Sequence, residues 1–208
     1  MTPDKEYNGR ARIRMYNCDC MDLMKTGTWG LAIVDPPYGI DINSSGRLGH
    51  YGGKGKNWDS ELVGSDYFKI LNTISENQIV WGANYYSMPP TRCFLLWDKM
   101  QPEGISFASH EFAWASFNQS AKCFYMRPQN ADNYRIHPTQ KPVQLYKWLL
   151  TNYAKPGQTI FDSHGGSMSI AIACWDLGFD LDICELDKDY FDAAFKRFEN
   201  HISQQVLF

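Results

Sequence analysis

Short runs of β-branched and aromatic residues alternate along this 208-residue chain with longer segments of helical pattern. Parallel strands cannot be joined by tight hairpins and need crossovers. The alternation therefore predicts an α/β fold, a mostly parallel sheet with helices on both faces. Strands are expected over residues 13–16, 31–34, 78–81, 93–97, 112–115, 123–126, 159–161 and 181–184. Helices are expected over 66–75, 142–153, 167–177 and 188–200, with Pro142 in a first turn, where a missing N–H costs nothing. No repeat or linker divides the chain, and its length suits one domain over residues 1–208. Residues 40–60 and 127–141 are irregular, polar and rich in turn formers.

The run Leu31-Ala32-Ile33-Val34 is closed by Asp35-Pro36-Pro37-Tyr38 and Gly39. Neither proline can continue a sheet ladder, and each fixes its own φ. The result is a rigid elbow at a strand's carboxyl end, holding a carboxylate, backbone carbonyls and an aromatic ring in fixed relation. Such an elbow can grip a flat ring that carries an exocyclic amino group. The carboxylate and a carbonyl accept the two N–H protons, and Tyr38 stacks on the ring.

A net charge of −3 argues against a uniformly basic nucleic-acid surface but leaves room for a local patch. Cys18 and Cys20 form a C-x-C with no second close pair, and His110-Glu111 lacks the second histidine of a zinc motif, so no metal site is read. Six cysteines without a disulfide framework, no signal peptide and no membrane-length apolar run lead to the expectation of reduced thiols in a cytoplasm.

Four further segments carry chemistry. Thr159-Ile160-Phe161 leads into Asp162-Ser163-His164-Gly165-Gly166-Ser167-Met168 and an apolar helix, so a backbone free of bulky side chains can approach a ligand. The next expected strand ends at Glu185, 23 positions after Asp162 (185 − 162), where an acid can bond ribose hydroxyls, with Leu186 beside it for an adenine face. His137-Pro138-Thr139-Gln140-Lys141-Pro142 precedes a helix rich in Leu, Trp and Tyr. Asn17-Cys18-Asp19-Cys20 follows the first strand and reads as a helix N-cap. A weaker signal is Trp81-Gly82-Ala83-Asn84-Tyr85, where Asn84 is hard to explain as core.

Taken in this order, the motifs resemble the β-class DNA amino-methyltransferases, in which the catalytic tetrapeptide comes first and the cofactor loop last. The resemblance implies a Rossmann-like class I methyltransferase fold with circularly permuted motif order. It implies S-adenosylmethionine as cofactor, and transfer of its methyl group to N6 of an adenine flipped out of double-stranded DNA. Asp35, Pro36, Pro37 and Tyr38 would be catalytic. Asp19, Cys20, Asp35, Thr139 and Lys141 would meet the cofactor, with Lys141 near its carboxylate. Asp162, His164, Gly165, Gly166 and Ser167 would cradle it, and Glu185 and Leu186 would hold its ribose and adenine. Tyr38, Arg47, Lys54, Lys56 and Asn84 would meet the DNA.

The family loop usually reads D-P-F-x-G-S-G, whereas here Met168 stands where its second glycine would be. With no large recognition region, target contacts would fall to residues 40–60 or to a second subunit, as in a homodimer. The setting implied is bacterial or phage-encoded. The other readings open at this point are transfer to cytosine N4, transfer to an RNA amino group, and a non-catalytic descendant that binds cofactor or DNA.

Overall fold

The computed structural model describes residues 1–40, 59–102, 104, 108–128 and 135–205. Within these, nine strands form one sheet: β1 (Lys5–Asn8), β2 (Arg12–Tyr16), β3 (Trp29–Val34), β4 (Ser75–Trp81), β5 (Cys93–Asp98), β6 (His110–Ala115), β7 (Lys122–Tyr125), β8 (Ile160–Asp162) and β9 (Leu181–Cys184). Their spatial order is β1-β2-β9-β8-β3-β4-β6-β5-β7. The run β2-β9-β8-β3-β4 is parallel throughout. β1 adds antiparallel at one edge, and β6 is inserted antiparallel between β4 and β5.

Strand alternation divides the interior into two cores. Leu31, Ile33, Ile79, Trp81, Leu181 and Ile183 face one side, with α3 (Val143–Tyr153), α4 (Ser169–Leu177) and α5 (Lys188–Gln205) packed over them. Ala32, Val34, Val80, Phe161 and Cys184 face the other, covered by α1 (Cys20–Leu23) and α2 (Ser65–Ile74). In α2 the buried residues are Tyr67, Leu71 and Ile74, spaced so that they share one face. In α4 all six residues from Ser169 to Cys174 are buried, because the helix packs against α3 and α5 as well as the sheet. This is a Rossmann-like α/β architecture, as expected. Among the described residues no helix is long and apolar enough to cross a membrane.

Several expected boundaries shift, each for a local reason. β1 lies at an edge with mostly exposed, polar side chains and so has no hydrophobic signature. α2 passes directly into β4 at Ser75, whose backbone is extended at φ −136° and ψ 139°, so this residue belongs to the strand rather than the helix. Pro142 is the N-cap of α3 with ψ 141°, outside the first turn in which it was expected. α4 begins at Ser169 rather than 167, because Met168 takes φ +52°.

Asp182, on the interior strand β9, ties β9 to β2 and β3. Its carboxylate accepts from Arg14 Nε and Nη2 at 2.5 and 2.6 Å, and from the Trp29 indole at 2.7 Å. The Asp182 side chain is 4% exposed and Arg14 is 31% exposed, so water reaches the cation if its partner is removed. Asp182→Ala should therefore cost about 2–4 kcal/mol rather than more. Urea denaturation checks this: the midpoint should fall with an unchanged slope.

Candidate active site

The parallel strands deliver their following loops to one edge of the sheet. Asn17–Cys20 follows β2, Glu185 follows β9, the Gly165-Gly166 loop follows β8, Asp35–Gly39 follows β3, and Gly82–Tyr86 follows β4. β3 and β8 are direct neighbours, pairing Leu31 with Ile160 and Ala32 with Phe161. That adjacency brings the proline elbow and the glycine loop together although they are far apart in sequence. β6 runs the other way, so its first residues, His110 and Glu111, reach the same edge, as does Lys99 after β5. Together these segments line a cavity of about 950 Å³.

On the elbow side, Asp35 Oδ1 accepts from the Tyr38 hydroxyl at 2.5 Å, and Oδ2 lies 2.5 Å from the Lys141 ammonium. Three contacts hold the elbow rigid. Asp59 Oδ1 accepts from the N–H groups of Tyr38 (2.7 Å) and Gly39 (3.2 Å), and the Tyr86 hydroxyl donates to the Pro37 carbonyl. The Tyr38 ring stacks on Tyr85 at 4.9 Å between centroids and 13° between planes. Gly82 lies beneath that ring with φ +69°, and a Cβ there would stand 2.1 Å from Tyr38 Cε1. Glu111 completes this wall, 3.0 Å from Lys141 through Oε2 and 2.6 Å from Lys99 through Oε1.

On the loop side, Glu185 Oε2 accepts from Gly166 N–H at 2.7 Å and Oε1 from Asp187 N–H at 2.8 Å. Asn17 Nδ2 donates to the carbonyls of Glu185 and Leu186, which fixes the strand end beside the loop. Leu186 is 71% exposed and borders the cavity. Gly165 is needed for close approach, since a Cβ would meet Ile183 Cγ1 at 3.0 Å and the Cys184 carbonyl at 3.2 Å. Gly166 takes φ +49°. Met168 is fully buried in the core under α3 and α4, so the cavity wall here is Gly165, Gly166 and Ser167. Its left-handed backbone keeps a conformation that favours glycine, while its side chain turns away from the cavity.

The other expected residues fall in several places. Asp19 is exposed on the cavity rim, and its carboxylate caps α1 by accepting from Met21 N–H at 2.8 Å. Burial holds the Cys20 thiol up to about 12, and its sulfur lies 4.0 Å from His164 Nε2. The His164 Nδ1 is 2.7 Å from Ser163 Oγ, which is itself 2.5 Å from the Tyr67 hydroxyl. Burial lowers His164 to about 4, so its imidazole is neutral near pH 7. Thr139 lies against His137, with its Oγ1 3.1 Å from Nδ1. Asn84 is exposed in a short 3₁₀ turn at the rim. Arg47, Lys54 and Lys56 lie outside the described residues. Lys99, Glu111, Asp59, Tyr85 and Tyr86 were not anticipated. Of these, Tyr85 closed the weak Trp81–Tyr85 signal and Glu111 belonged to the failed zinc motif, and the role of Glu111 depends on the antiparallel insertion of β6.

Asp162 lies beneath the loop, 1% exposed, with Oδ1 accepting from His164 N–H at 3.0 Å. Burial, and next the charges of Asp35 and Glu185, push its carboxyl up to about 8, against the His164 N–H and Lys141. A folded-state pKa above the unfolded one means that the native protein keeps a proton the unfolded chain has released. Stability then falls as pH rises towards 8. His164, shifted down, acts in the opposite sense only below about 6.5. Between pH 6.5 and 8 the Asp162 contribution should reach about 2 kcal/mol at most. Asp162→Asn retains the Oδ1 acceptor and should flatten this decline, as read by thermal melting across that range.

Comparison with known proteins extends the picture. A family model described as DNA methylase matches residues 78–196, which is 119 of the 208 residues. M1.HpyAVI, solved as a complex with SAM, is 20% identical with a TM-score of 0.59 over 89% of this chain and 99% of that one. The PvuII DNA methyltransferase, cytosine-N4-specific, is 11% identical with a TM-score of 0.62 over 92% and 90%. TTHA0409 from Thermus thermophilus, solved with S-adenosyl-L-methionine, is 14% identical with a TM-score of 0.54 over 90% and 93%. At these identities the structural likeness is one of fold.

Proposed function

Since this chain belongs to the DNA methylase family, we propose that it transfers the methyl group of S-adenosylmethionine to N6 of an adenine extruded from double-stranded DNA. The observation that carries this reading is the Asp35 carboxylate, fixed at the sheet edge one strand from the glycine loop and sharing a cavity with it. The methyl group comes from the cofactor's sulfonium, which supplies the electrophile when bound.

The residues present fit that cofactor. Gly165 and Gly166 allow close backbone approach, Glu185 stands at a strand end where ribose hydroxyls can be met, and exposed Leu186 offers an apolar face. Asp19 and Glu185 border the cavity outside the ion-pair cluster, while Lys141 is already neutralised by Asp35 and Glu111. An acidic surround suits a cation.

The amino nitrogen of adenine is a poor nucleophile because its lone pair is delocalised into the ring. Accepting its protons at Asp35 and at the Pro36 carbonyl favours a tetrahedral nitrogen and exposes the lone pair. The Pro37 carbonyl is committed to Tyr86, so the second acceptor falls to Pro36. Tyr38 stacks on the extruded base. Asp before Pro-Pro-Tyr favours adenine over cytosine by resemblance.

The test is expression in a methylation-free host, followed by mapping of modified bases in its genome. N6-methyladenine at one sequence motif is the expected result. N4-methylcytosine would move the assignment to the other base, and no modified base would overturn it.

A further inference from the structure

Lys141 reaches the site from the segment ahead of α3, and its side chain is 2% exposed. Its ammonium nitrogen lies 2.5 Å from Asp35 Oδ2, 3.3 Å from the Tyr38 hydroxyl and 3.0 Å from Glu111 Oε2. The ammonium hydrogen-bonds Asp35 Oδ2 and the Tyr38 hydroxyl, and it holds Glu111 Oε2 as a close ion pair whose geometry falls short of a hydrogen bond. The rings of Trp81 and Tyr38 stand 5.4 and 5.8 Å away and add cation–π attraction. Glu111 is held in turn by Lys99 at 2.6 Å.

Anions and cations thus alternate through Asp35, Lys141, Glu111 and Lys99, with charges that cancel. A buried charge is tolerable when paired this closely, whereas removing one member leaves its neighbour uncompensated. A further carboxylate at Lys141 would have to displace Asp35 or Glu111, and would add a third negative charge around one cation.

We propose that Lys141, anchored by Glu111, is a positioning residue that pins Asp35 Oδ2 and turns Oδ1 towards the target amino group, and that it does not bind the methyl donor's carboxylate. A carboxylate free to rotate would present either oxygen in varying directions. Held at Oδ2, it presents Oδ1, where the Tyr38 hydroxyl already donates and the amino N–H would join or replace it. Glu111, from the inserted strand β6, keeps the ammonium from following Asp35 when the base enters. This inference rests on the amino-methyltransferase reading.

The test compares Lys141→Met, Lys141→Arg and Glu111→Gln in the full chain. Calorimetry with S-adenosylmethionine gives donor affinity, and single-turnover transfer to DNA carrying the mapped motif gives the chemical step. For Lys141→Met the donor's Kd should change less than about tenfold while transfer falls about 100-fold or more. Lys141→Arg should recover part of the rate, and Glu111→Gln should lose about tenfold in transfer with donor affinity retained. Donor affinity that falls more than about tenfold in Lys141→Met, or transfer at the wild-type rate, would overturn the inference. Should Lys141→Met fail to fold, Glu111→Gln decides: a wild-type transfer rate overturns the relay. A wild-type protein that binds the donor and methylates no DNA would instead count against the methyltransferase reading.

Discussion

Asp35→Ala should abolish methyl transfer while leaving the methyl donor bound. Removing a preorganised acceptor from a buried reaction centre costs about two to three orders of magnitude. Here the loss should be larger, because the same carboxylate also holds the Tyr38 hydroxyl and the Lys141 ammonium. The ring that stacks on the base would lose its hydroxyl's acceptor, and the cation beside it would lose one of its two carboxylate partners. The loop after β8 and Glu185 hold each other through Gly166 N–H and do not depend on Asp35, so donor affinity should survive. Single-turnover assays paired with calorimetry on the purified variant read both outcomes. Asp35→Asn sharpens the result, since it keeps the shape and one acceptor while removing the charge. Full activity in either variant would sink the assignment of this carboxylate.

The second large effect is expected at Gly82→Ala, a single added methyl group. Gly82 has φ +69°, in a region where an L side chain costs about 1–2 kcal/mol, and its Cβ would stand 2.1 Å from Cε1 and 2.5 Å from Cδ1 of Tyr38. The ring can swing away, so the protein should fold. It would then leave Tyr85, its bond to Asp35 and its place against the base. Misplacement of about 1 Å at a reacting centre can cost about 100-fold, and transfer should fall at least that far. Donor affinity should be unchanged, and the melting temperature should drop by a few degrees, in line with a strain of about 1–2 kcal/mol. A variant that methylates at the wild-type rate would show that the ring's position is not what the rate depends on.

The motifs that end strands were legible because strand, turn chemistry and polar residue occur together in a few consecutive positions. Asp35 after β3 and Glu185 after β9 are of this kind, and their neighbours in space could be anticipated from the rule that parallel strands share a carboxyl edge. What was not legible lacked a local signature. β1 is a polar edge strand, and α1 has four residues, too few to show a period. Met168 looked like an intruder in a glycine loop, because nothing in the chain states which way its side chain turns. Burial decides that, since the thioether packs into the core under α3 and α4. The Asp19 carboxylate was read both as a cap and as a cofactor contact, and hydrogen bonding to Met21 N–H bears out the cap.

By itself the sequence determined the α/β class, the order of the motifs along the chain and the elbow that carries Asp35. Those depend on periodicity and on the stiffness of two prolines. Only the tertiary structure decided what surrounds that carboxylate. Lys141 lies 106 residues away, and Glu111 reaches the site because β6 runs against β4 and β5. A buried ion pair needs angstrom-scale proximity between groups far apart in sequence, and the strand order that sets it is chosen by the packing of two whole cores.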